Sequence, residues 1–298
     1  MVRGSCLCRG VSWEIAGRLS QMSHCHCSRC RREHGSAFAT YAGTREEGLR
    51  WTRGKDLVAT FQSSPTVTRV FCSVCGSVVP ERFGSEQVSV PAGCLDDDPG
   101  CRPGAHIFAA SKASWYEIPN DGLPRYPAYP PGIPTPEVAP RQETPAPTRP
   151  DVLRGGCLCG GVAYEAGPAR AMIHCHCSRC RKARAAAHGT NVFADPAGFR
   201  YTRGEELLRR YKVPEAARFG TVFCGRCGGS LPGAPGASPN VVIPAGSLDD
   251  DPGPVPQIHV FVQDKAPWFE IHDAHPRCEG YMAGYASAHE WVAHLERT

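Results

Sequence analysis

Short runs of alternating apolar and polar residues recur along the chain, and clusters of Gly, Pro and Asp separate them. The segments 11–15 (VSWEI), 66–70 (TVTRV) and 87–90 (QVSV) all follow this pattern. Because successive side chains point to opposite faces of a strand, such runs predict half-buried β-strands with turns between them. The pattern therefore predicts a mostly β protein.

Helical periodicity is scarce in this chain. One short helix is predicted with Ser28 as its N-cap and an end near Gly35, and a second helix is predicted at 286–297. No run approaches the roughly 20 apolar residues that a membrane span needs. No apolar run follows the first residues as it does in a signal peptide. We therefore expect a cytoplasmic protein that makes no use of a membrane.

The two halves of the chain repeat one unit. The octapeptide HCHCSRCR occurs at 24–31 and again at 174–181. A unit of this length is too large to be one turn of a solenoid, so it indicates a duplicated domain. The stretch between the copies is rich in proline and favours an extended chain. We predict a first domain at 1–131, a linker at 132–153, and a second domain at 154–298 that ends with the C-terminal helix.

Seventeen cysteines are far more than an intracellular protein ordinarily carries. A reducing compartment favours metal binding over disulfides. Seven of the cysteines recur at matching positions in each half. Structural zinc takes four protein ligands, whereas a site with three leaves a position for water or substrate. The count therefore predicts one closed and one open zinc site per half, with up to four Zn²⁺ per chain.

Spacing divides these cysteines into two groups. Cys6 and Cys8 stand two apart in an extended segment, so their side chains share one face. Cys72 and Cys75 form the Cys-x-x-Cys turn that is typical of zinc ribbons. These distant pairs are expected to close the structural site and to leave a compact triad for the open one. The predicted ligands are Cys6, Cys8, Cys72 and Cys75 (closed) with Cys25, Cys27 and Cys30 (open) in the first half, and Cys157, Cys159, Cys224 and Cys227 (closed) with Cys175, Cys177 and Cys180 (open) in the second.

An alternative is that a nearby histidine closes the triad as a fourth ligand. His24, His26 and His34 are the candidates in the first half. His26 stands between two ligands that must point to one side, so an extended chain would turn it away. A disulfide interpretation of the clusters conflicts with the expected compartment.

Polar and aromatic residues around the triad have two interpretations each. Arg29, Arg31 and Arg32 follow it closely and would offset its charge, hold a substrate carboxylate, or simply face solvent. His106 and Trp115 would line a pocket or belong to the core, and the core interpretation is favoured.

The spaced cysteines, together with Ala92-Gly93-Cys94-Leu95-Asp96, His106-Ile107-Phe108 and Trp115, resemble the glutathione-dependent formaldehyde-activating enzyme family, also called the centromere protein V family. The resemblance covers nearly all of both halves. It implies two zinc-holding β-tent domains of coiled antiparallel sheets, and it assigns closed and open sites to the same cysteines. It also implies a carbon–sulfur lyase that joins a thiol such as glutathione to formaldehyde or a related aldehyde as an S-hydroxyalkyl adduct.

The alternative function is a non-catalytic zinc-binding interaction module or a redox sensor, since exposed thiolates oxidise readily. A formal charge of +4 would suit nucleic acid. Fourteen thiolates and four Zn²⁺ ions would change that charge to −2, and a chain near neutrality lacks the basic surface that binding nucleic acid requires. The expected partners are therefore small molecules, a thiol and an aldehyde.

The second copy departs from the first beside its triad. Residues 35–38 (GSAF) become 185–188 (AAAH), and Cys94 becomes Ser247. All seven predicted ligands are kept, so the second half is expected to bind zinc and fold. These departures put its activity in doubt.

Overall fold

The computed structural model describes residues 1–84, 86–133, 151–234 and 238–295. Most of the predicted linker at 132–153, and the last two residues of the predicted helix at 286–297, lie outside the described residues. No helix among the described residues is long and apolar enough to cross a membrane.

Strands dominate both halves, and the mostly β prediction is confirmed. The first half contains β1 (Val2–Ser5), β2 (Ser12–Ile15), β3 (Ser20–Cys25), α1 (Ser28–His34), β4 (Ala39–Arg45), β5 (Leu49–Arg53), β6 (Val58–Ser64), β7 (Val67–Cys72), β8 (Glu81–Phe83), β9 (Gln87–Pro91) and β10 (His106–Ile107). The second half contains β11 (Leu153–Gly156), β12 (Ala163–Ala166), β13 (Ala169–Cys175), α2 (Ser178–Arg184), β14 (Gly189–Ala194), β15 (Arg200–Arg203), β16 (Leu208–Lys212), β17 (Gly220–Cys224), β18 (Ser230–Leu231), β19 (Val241–Pro244), β20 (Ile258–Val260) and α3 (Ala288–Leu295).

Each half is built from three small sheets with matching strand orders. The orders are β1-β2-β5, β6-β7 and β10-β3-β4-β9-β8 in the first half, and β11-β12-β15, β16-β17-β18 and β19-β14-β13-β20 in the second. All pairs are antiparallel except β3 with β10 and β13 with β20, which are parallel. Strand β3 and helix α1 follow each other directly, so the triad lies where a sheet gives way to a helix.

A cysteine rather than a serine caps the first helix, so the prediction of Ser28 as N-cap is wrong by one residue. The Cys27 sulfur accepts a hydrogen bond from the Cys30 amide at 3.4 Å, and Ser28 is the first helical residue. The end at Gly35 is as expected: its φ of 62° is left-handed, a conformation that glycine adopts without strain. In the second half Ala185 takes this position at φ 50°, where a side chain costs roughly 1–2 kcal/mol.

The two halves pack against each other through matching elements. Arg32 on α1 is 3% exposed and donates to the carbonyl oxygens of Gly156, at 2.8 Å, and Ser247, at 3.2 Å. Lys182, its counterpart on α2, donates to the Ser5 carbonyl at 2.9 Å and pairs with Asp96 at 2.7 Å. Each helix therefore binds the same region of the other half, as in an isologous dimer.

Two glycines allow this close approach. A Cβ atom on Gly93 would lie 2.1 Å from the Ala186 amide nitrogen, and one on Gly246 would lie 2.1 Å from the Arg31 carbonyl oxygen. Both distances are well below any van der Waals contact. Glycine is therefore required at both positions while the halves stay packed.

Aromatic side chains also cross between the halves in matching pairs. His24 packs edge to face on Phe269 at 6.0 Å, and Tyr116 packs on His174 at 6.2 Å. His24 and His174 occupy matching positions of the repeat, and so do Tyr116 and Phe269. The two contacts are therefore equivalent, each joining the histidine of one half to the aromatic ring of the other. The halves thus share one continuous buried region.

A substitution at Gly93 tests this interface. Gly93→Ala should lower the free energy of unfolding by about 1–3 kcal/mol, because the added methyl overpacks the contact with the second half. Gly104→Ala is the matched control, since the nearest atom to its Cβ, the Met22 carbonyl oxygen, would be 4.0 Å away. Urea unfolding measures both, and equal stability of the two variants would contradict the described packing.

Candidate metal centres

Four cysteine sulfurs from two distant segments meet in the first half. Cys6 and Cys8 follow β1, while Cys72 ends β7 and Cys75 follows it in a tight turn. Their sulfur atoms all lie within 4.8 Å of one another, with Cys6 and Cys8 3.4 Å apart and Cys8 and Cys72 3.8 Å apart. Tetrahedral zinc with thiolate ligands needs sulfurs about 3.8 Å apart. The cluster therefore fits a zinc ion.

The second half repeats this cluster with nearly the same geometry. Cys157 and Cys159 lie 3.5 Å apart, and Cys159 and Cys224 lie 3.9 Å apart. The sulfur of Cys227 completes the group within 4.8 Å.

Backbone amides point at these sulfurs. Val11 donates to Cys6 at 3.3 Å and Gly10 donates to Cys8 at 3.4 Å, and the second half has the same two bonds. Such donors stabilise negative charge on a thiolate and hold the ligand in orientation.

The triads form a second kind of cluster. Cys25 ends β3, Cys27 caps α1 and Cys30 lies in its first turn, so one strand-to-helix junction supplies all three sulfurs. The sulfurs lie within 4.8 Å of one another, as do those of Cys175, Cys177 and Cys180. Among the residues that the structure describes, no fourth His, Cys, Asp or Glu atom joins either triad. That these clusters hold zinc stays a prediction.

None of the three candidate histidines reaches the first triad. His24 shares a hydrogen bond with Thr40 at 2.8 Å. His34 donates from Nδ1 to the Arg184 carbonyl at 2.7 Å and accepts from the Tyr41 hydroxyl at 2.8 Å. Burial lowers the pKa of His34 to about 4, which keeps the ring neutral, and the Arg184 carbonyl oxygen, which can only accept, fixes the proton on Nδ1.

His26 belongs to a buried chain of side chains that points away from the triad. His106 donates from Nε2 to Asp121 at 2.8 Å, so its Nδ1 accepts from His26 Nε2 at 2.9 Å. His176, His259 and Asp273 repeat the chain in the second half. His106 and Trp115 are both buried, in line with the core interpretation.

The arginines beside the first triad bind the protein itself. Arg31 donates to the carbonyl oxygens of His26 and Ser111, both at 3.2 Å. Arg29 donates to the Ser63 carbonyl. Arg32 is taken up by the contact between the halves, so it neither faces solvent nor is available to a substrate.

The residues by which the second copy differs from the first make structural contacts. Ala186 packs on Gly93 of the other half, and the ring of His188 lies edge to face on Phe38 at 5.4 Å. Ser247, in place of Cys94, accepts a hydrogen bond from the Tyr164 hydroxyl at 2.7 Å. These departures therefore give no reason to doubt the second site.

A buried charged network that sequence reasoning missed adjoins the first triad. Arg69 lies 2.9 Å from Glu33, 3.4 Å from Glu81 and 3.7 Å from the Cys30 sulfur. Burial raises the pKa of both glutamates, that of Glu81 to about 8, and the charge of Arg69 opposes the rise. Two carboxyl groups thus share one guanidinium.

The second half has a cavity of about 310 Å³ at the same place, and Cys180 lines it. The four residues that form or adjoin the network in the first half are all replaced by smaller ones. Only a position-by-position comparison of the two copies gives this signal in the sequence. The replacements, which all line the cavity, are Ala183 for Glu33, Asn191 for Tyr41, Thr221 for Arg69 and Gly233 for Glu81.

A comparison with models of known protein families identifies the family that the cysteine pattern resembles. The model of the glutathione-dependent formaldehyde-activating enzyme family matches residues 1–111 and 152–264. The chain belongs to this family. As in the resemblance drawn from the sequence, both halves match, which is consistent with a tandem duplication.

One similar solved structure is a Rhodobacter sphaeroides protein from structural genomics. It is 29% identical, and the match covers 34% of this chain and 91% of that one with a TM-score of 0.28. A search among curated proteins found no match.

Metal content tests the four clusters. Protein purified under reducing conditions should contain about four zinc ions per chain, because each cluster offers a thiolate set that zinc prefers. Elemental analysis against protein concentration measures this. A value near two would mean that the triads hold no zinc.

Two single substitutions separate the roles of the clusters. Cys72→Ser should lose a metal ion and unfold the first half, because metal binding there is coupled to folding. Cys27→Ser should lose a metal ion but keep the circular dichroism of the folded protein. Equal unfolding by both variants would contradict the division into structural and open sites.

The buried glutamates predict a pH-dependent stability. Burial raises the pKa of Glu81 to about 8 in the folded protein, whereas the ordinary value in the unfolded chain is 4.5, so folding favours the protonated form. Its contribution to stability is therefore complete at low pH and is lost as pH rises through the folded pKa.

Glu81→Gln removes this proton without removing the contact. The stability of the wild type relative to Glu81→Gln should fall between about pH 5 and about pH 9. Thermal unfolding of both proteins across that range measures the difference. A difference that does not change with pH would refute the assignment.

Proposed function

We propose that this protein is a zinc-dependent aldehyde-activating enzyme of the carbon–sulfur lyase class. It joins a thiol such as glutathione to formaldehyde or a related aldehyde. The observation that carries the proposal is the pairing, in each half, of a four-sulfur cluster with a three-sulfur cluster that no other described ligand completes. Membership of the glutathione-dependent formaldehyde-activating family supports it.

We assign two roles to the clustered cysteines. The four-sulfur sets, Cys6, Cys8, Cys72 and Cys75 with Cys157, Cys159, Cys224 and Cys227, hold structural zinc. The triads, Cys25, Cys27 and Cys30 with Cys175, Cys177 and Cys180, hold the reactive zinc. A zinc ion with three protein ligands supplies a positive charge that lowers the pKa of a thiol brought to its fourth position.

The residues of the chain then set where the thiol can approach. The cysteines of a triad come from one strand end and one helix start, so they occupy one side of the site. His26 lies between two of them but is held away by His106. The Cys30 amide donates to the Cys27 sulfur and fixes the helix start.

The reaction itself needs no oxidant or reductant. The thiol sulfur forms a bond to the carbonyl carbon, the carbon–oxygen π bond breaks, and the thiol proton ends on the oxygen. The product is an S-hydroxyalkyl adduct. A cytoplasmic location, which we propose from the cysteine content, would keep the fourteen thiols reduced.

We also propose that the domains extend over 1–131 and 154–298, with a linker at 132–153. The two regions that match the family, 1–111 and 152–264, agree with two units of this kind.

A thiol titration tests the proposed function. Glutathione added to cobalt-substituted protein should perturb the thiolate-to-metal absorption, because a thiol entering the fourth position changes the coordination of the metal. Replacing Cys27 and Cys177 together by serine should abolish the response while the four-sulfur sites keep their cobalt.

No spectral change with glutathione or with other small cellular thiols would overturn the proposal. The protein would then be a zinc-binding interaction module. Formation of the adduct in the presence of formaldehyde, followed by nuclear magnetic resonance, is the direct measure of activity.

A further inference from the structure

We propose that only the second half takes substrate, in the cavity beside Cys180, and that Arg184 and Arg218 bind a carboxylate of the substrate thiol there. The inference rests on the proposed function and concerns which of the two triads performs it. It reverses the expectation that the second copy is the doubtful one.

The first triad is closed off on the side of α1. Arg69 occupies the space beside Cys30, with its guanidinium 3.7 Å from the sulfur, and Glu33 and Glu81 hold it there. Arg69, Glu33 and Glu81 are all buried, and Cys30 is only 4% exposed. A substrate could enter from this side only by displacing a buried ion pair, which is strongly unfavourable.

The second triad is open on the same side. Cys180 is partly exposed and lines the cavity of about 310 Å³. Pockets for small molecules start at about 300 Å³. The cavity therefore has room for a short thiol, or for the thiol-bearing part of a larger one.

The cavity is suited to an anion. Arg184 and Arg218 line it together with Ser238, Asn240 and His289, and none of the described residues that line it is acidic. Neither arginine side chain pairs with a carboxylate within the described part of the chain, although the nearby Cys180 and Cys175 thiols act electrostatically on Arg184. Guanidinium groups bind carboxylates with paired hydrogen bonds, so a carboxylate on the thiol can pair with Arg218 and with the free donors of Arg184.

The differences between the halves also form a consistent set. Removing Arg69 alone would leave two buried carboxyl groups without their shared partner, and removing Glu33 alone would leave the guanidinium with only the more distant Glu81. In the second half the arginine and both glutamates are absent together. The space they leave is the cavity, and helix α3, which has no counterpart among the described residues of the first half, brings His289 to its wall.

Exchanging the residues beside Cys30 and those beside Cys180 tests which half binds the thiol. The variant A183E/T221R/G233E transfers the charged network into the second half and should abolish thiol binding by the cobalt-substituted protein. The variant E33A/R69T/E81G removes the charged network beside Cys30 from the first half. It should add a second thiol-binding event to the titration. Cobalt content and thermal unfolding of both variants show whether the metal sites remain intact.

The outcomes separate the two proposals. If the wild type fails to respond to any thiol, the proposed function itself is wrong. If the wild type responds and A183E/T221R/G233E binds the thiol as tightly, the proposed function stands and the assignment to the second half is overturned. Because A183E/T221R/G233E changes three residues, a single surface substitution provides an independent test.

Arg218→Glu is that substitution, because the side chain is exposed and its change should not affect folding. The probes are 3-mercaptopropionate and the uncharged 2-mercaptoethanol. The wild type should bind the carboxylated thiol about tenfold more tightly, as expected for one charge-assisted hydrogen bond. Arg218→Glu should remove this preference.

Arg18→Glu is the matched control, an equal change of charge on an exposed loop before β3. Its preference for the carboxylated thiol should equal that of the wild type. Equal binding of both probes by the wild type, or an unchanged preference in Arg218→Glu, would overturn the role of the arginines. Both outcomes would leave the exchange of linings as a separate test of the second half.

Discussion

Repulsion between crowded sulfurs is the constraint on which each half depends. Fourteen of the 17 cysteines gather in four clusters, each with its sulfurs within 4.8 Å, and all are free thiols. Thiolates at such distances cannot all carry charge unless a cation lies between them. The four-sulfur clusters also join the end of β1 to the turn after β7, which are far apart in sequence. The small sheets therefore depend on the clusters for their mutual position.

Helices α1 and α2 each have two roles, one in a metal cluster and one in the contact between the halves. On α1, Cys30 belongs to the triad while Arg32 binds carbonyl groups of the other half, and Cys180 and Lys182 have the same two roles on α2. Interface and metal cluster thus share one short helix. A shift of either helix at the interface would also move a sulfur of its triad.

The cysteine triads and many of the strands could be predicted from the sequence, because they are formed by residues that lie close together along the chain. Cys25, Cys27 and Cys30 lie within six residues, and the repeat shows each cluster a second time. The alternation of apolar residues predicts the strands for the same reason. The cap at Cys27 could not be foreseen, because cysteine is rarely an N-cap and its role follows from the triad.

Long-range contacts explain what the sequence did not reveal. Arg32 binds Gly156 and Ser247, more than a hundred residues away, so beside the triad it looks like a substrate or surface arginine. Glu33 and Arg69 each look like ordinary surface charges when taken singly. Only the fold brings them together, and only the comparison of the copies shows that the second half lacks both.

A contact between the halves links the surroundings of the first triad to those of the second. His34 at the end of α1 donates to the carbonyl oxygen of Arg184, whose side chain lines the cavity of the second half. Burial favours the neutral state of His34, the carbonyl oxygen fixes its proton on Nδ1, and the Tyr41 hydroxyl beside the charged network donates to the other ring nitrogen. Tyr41 and His34, which lie next to the network of the first half, therefore also help to fix the backbone at the end of α2. A tandem chain can divide work in this way because its two copies need not be identical, whereas a dimer of one repeated chain would have to fill both sites or neither.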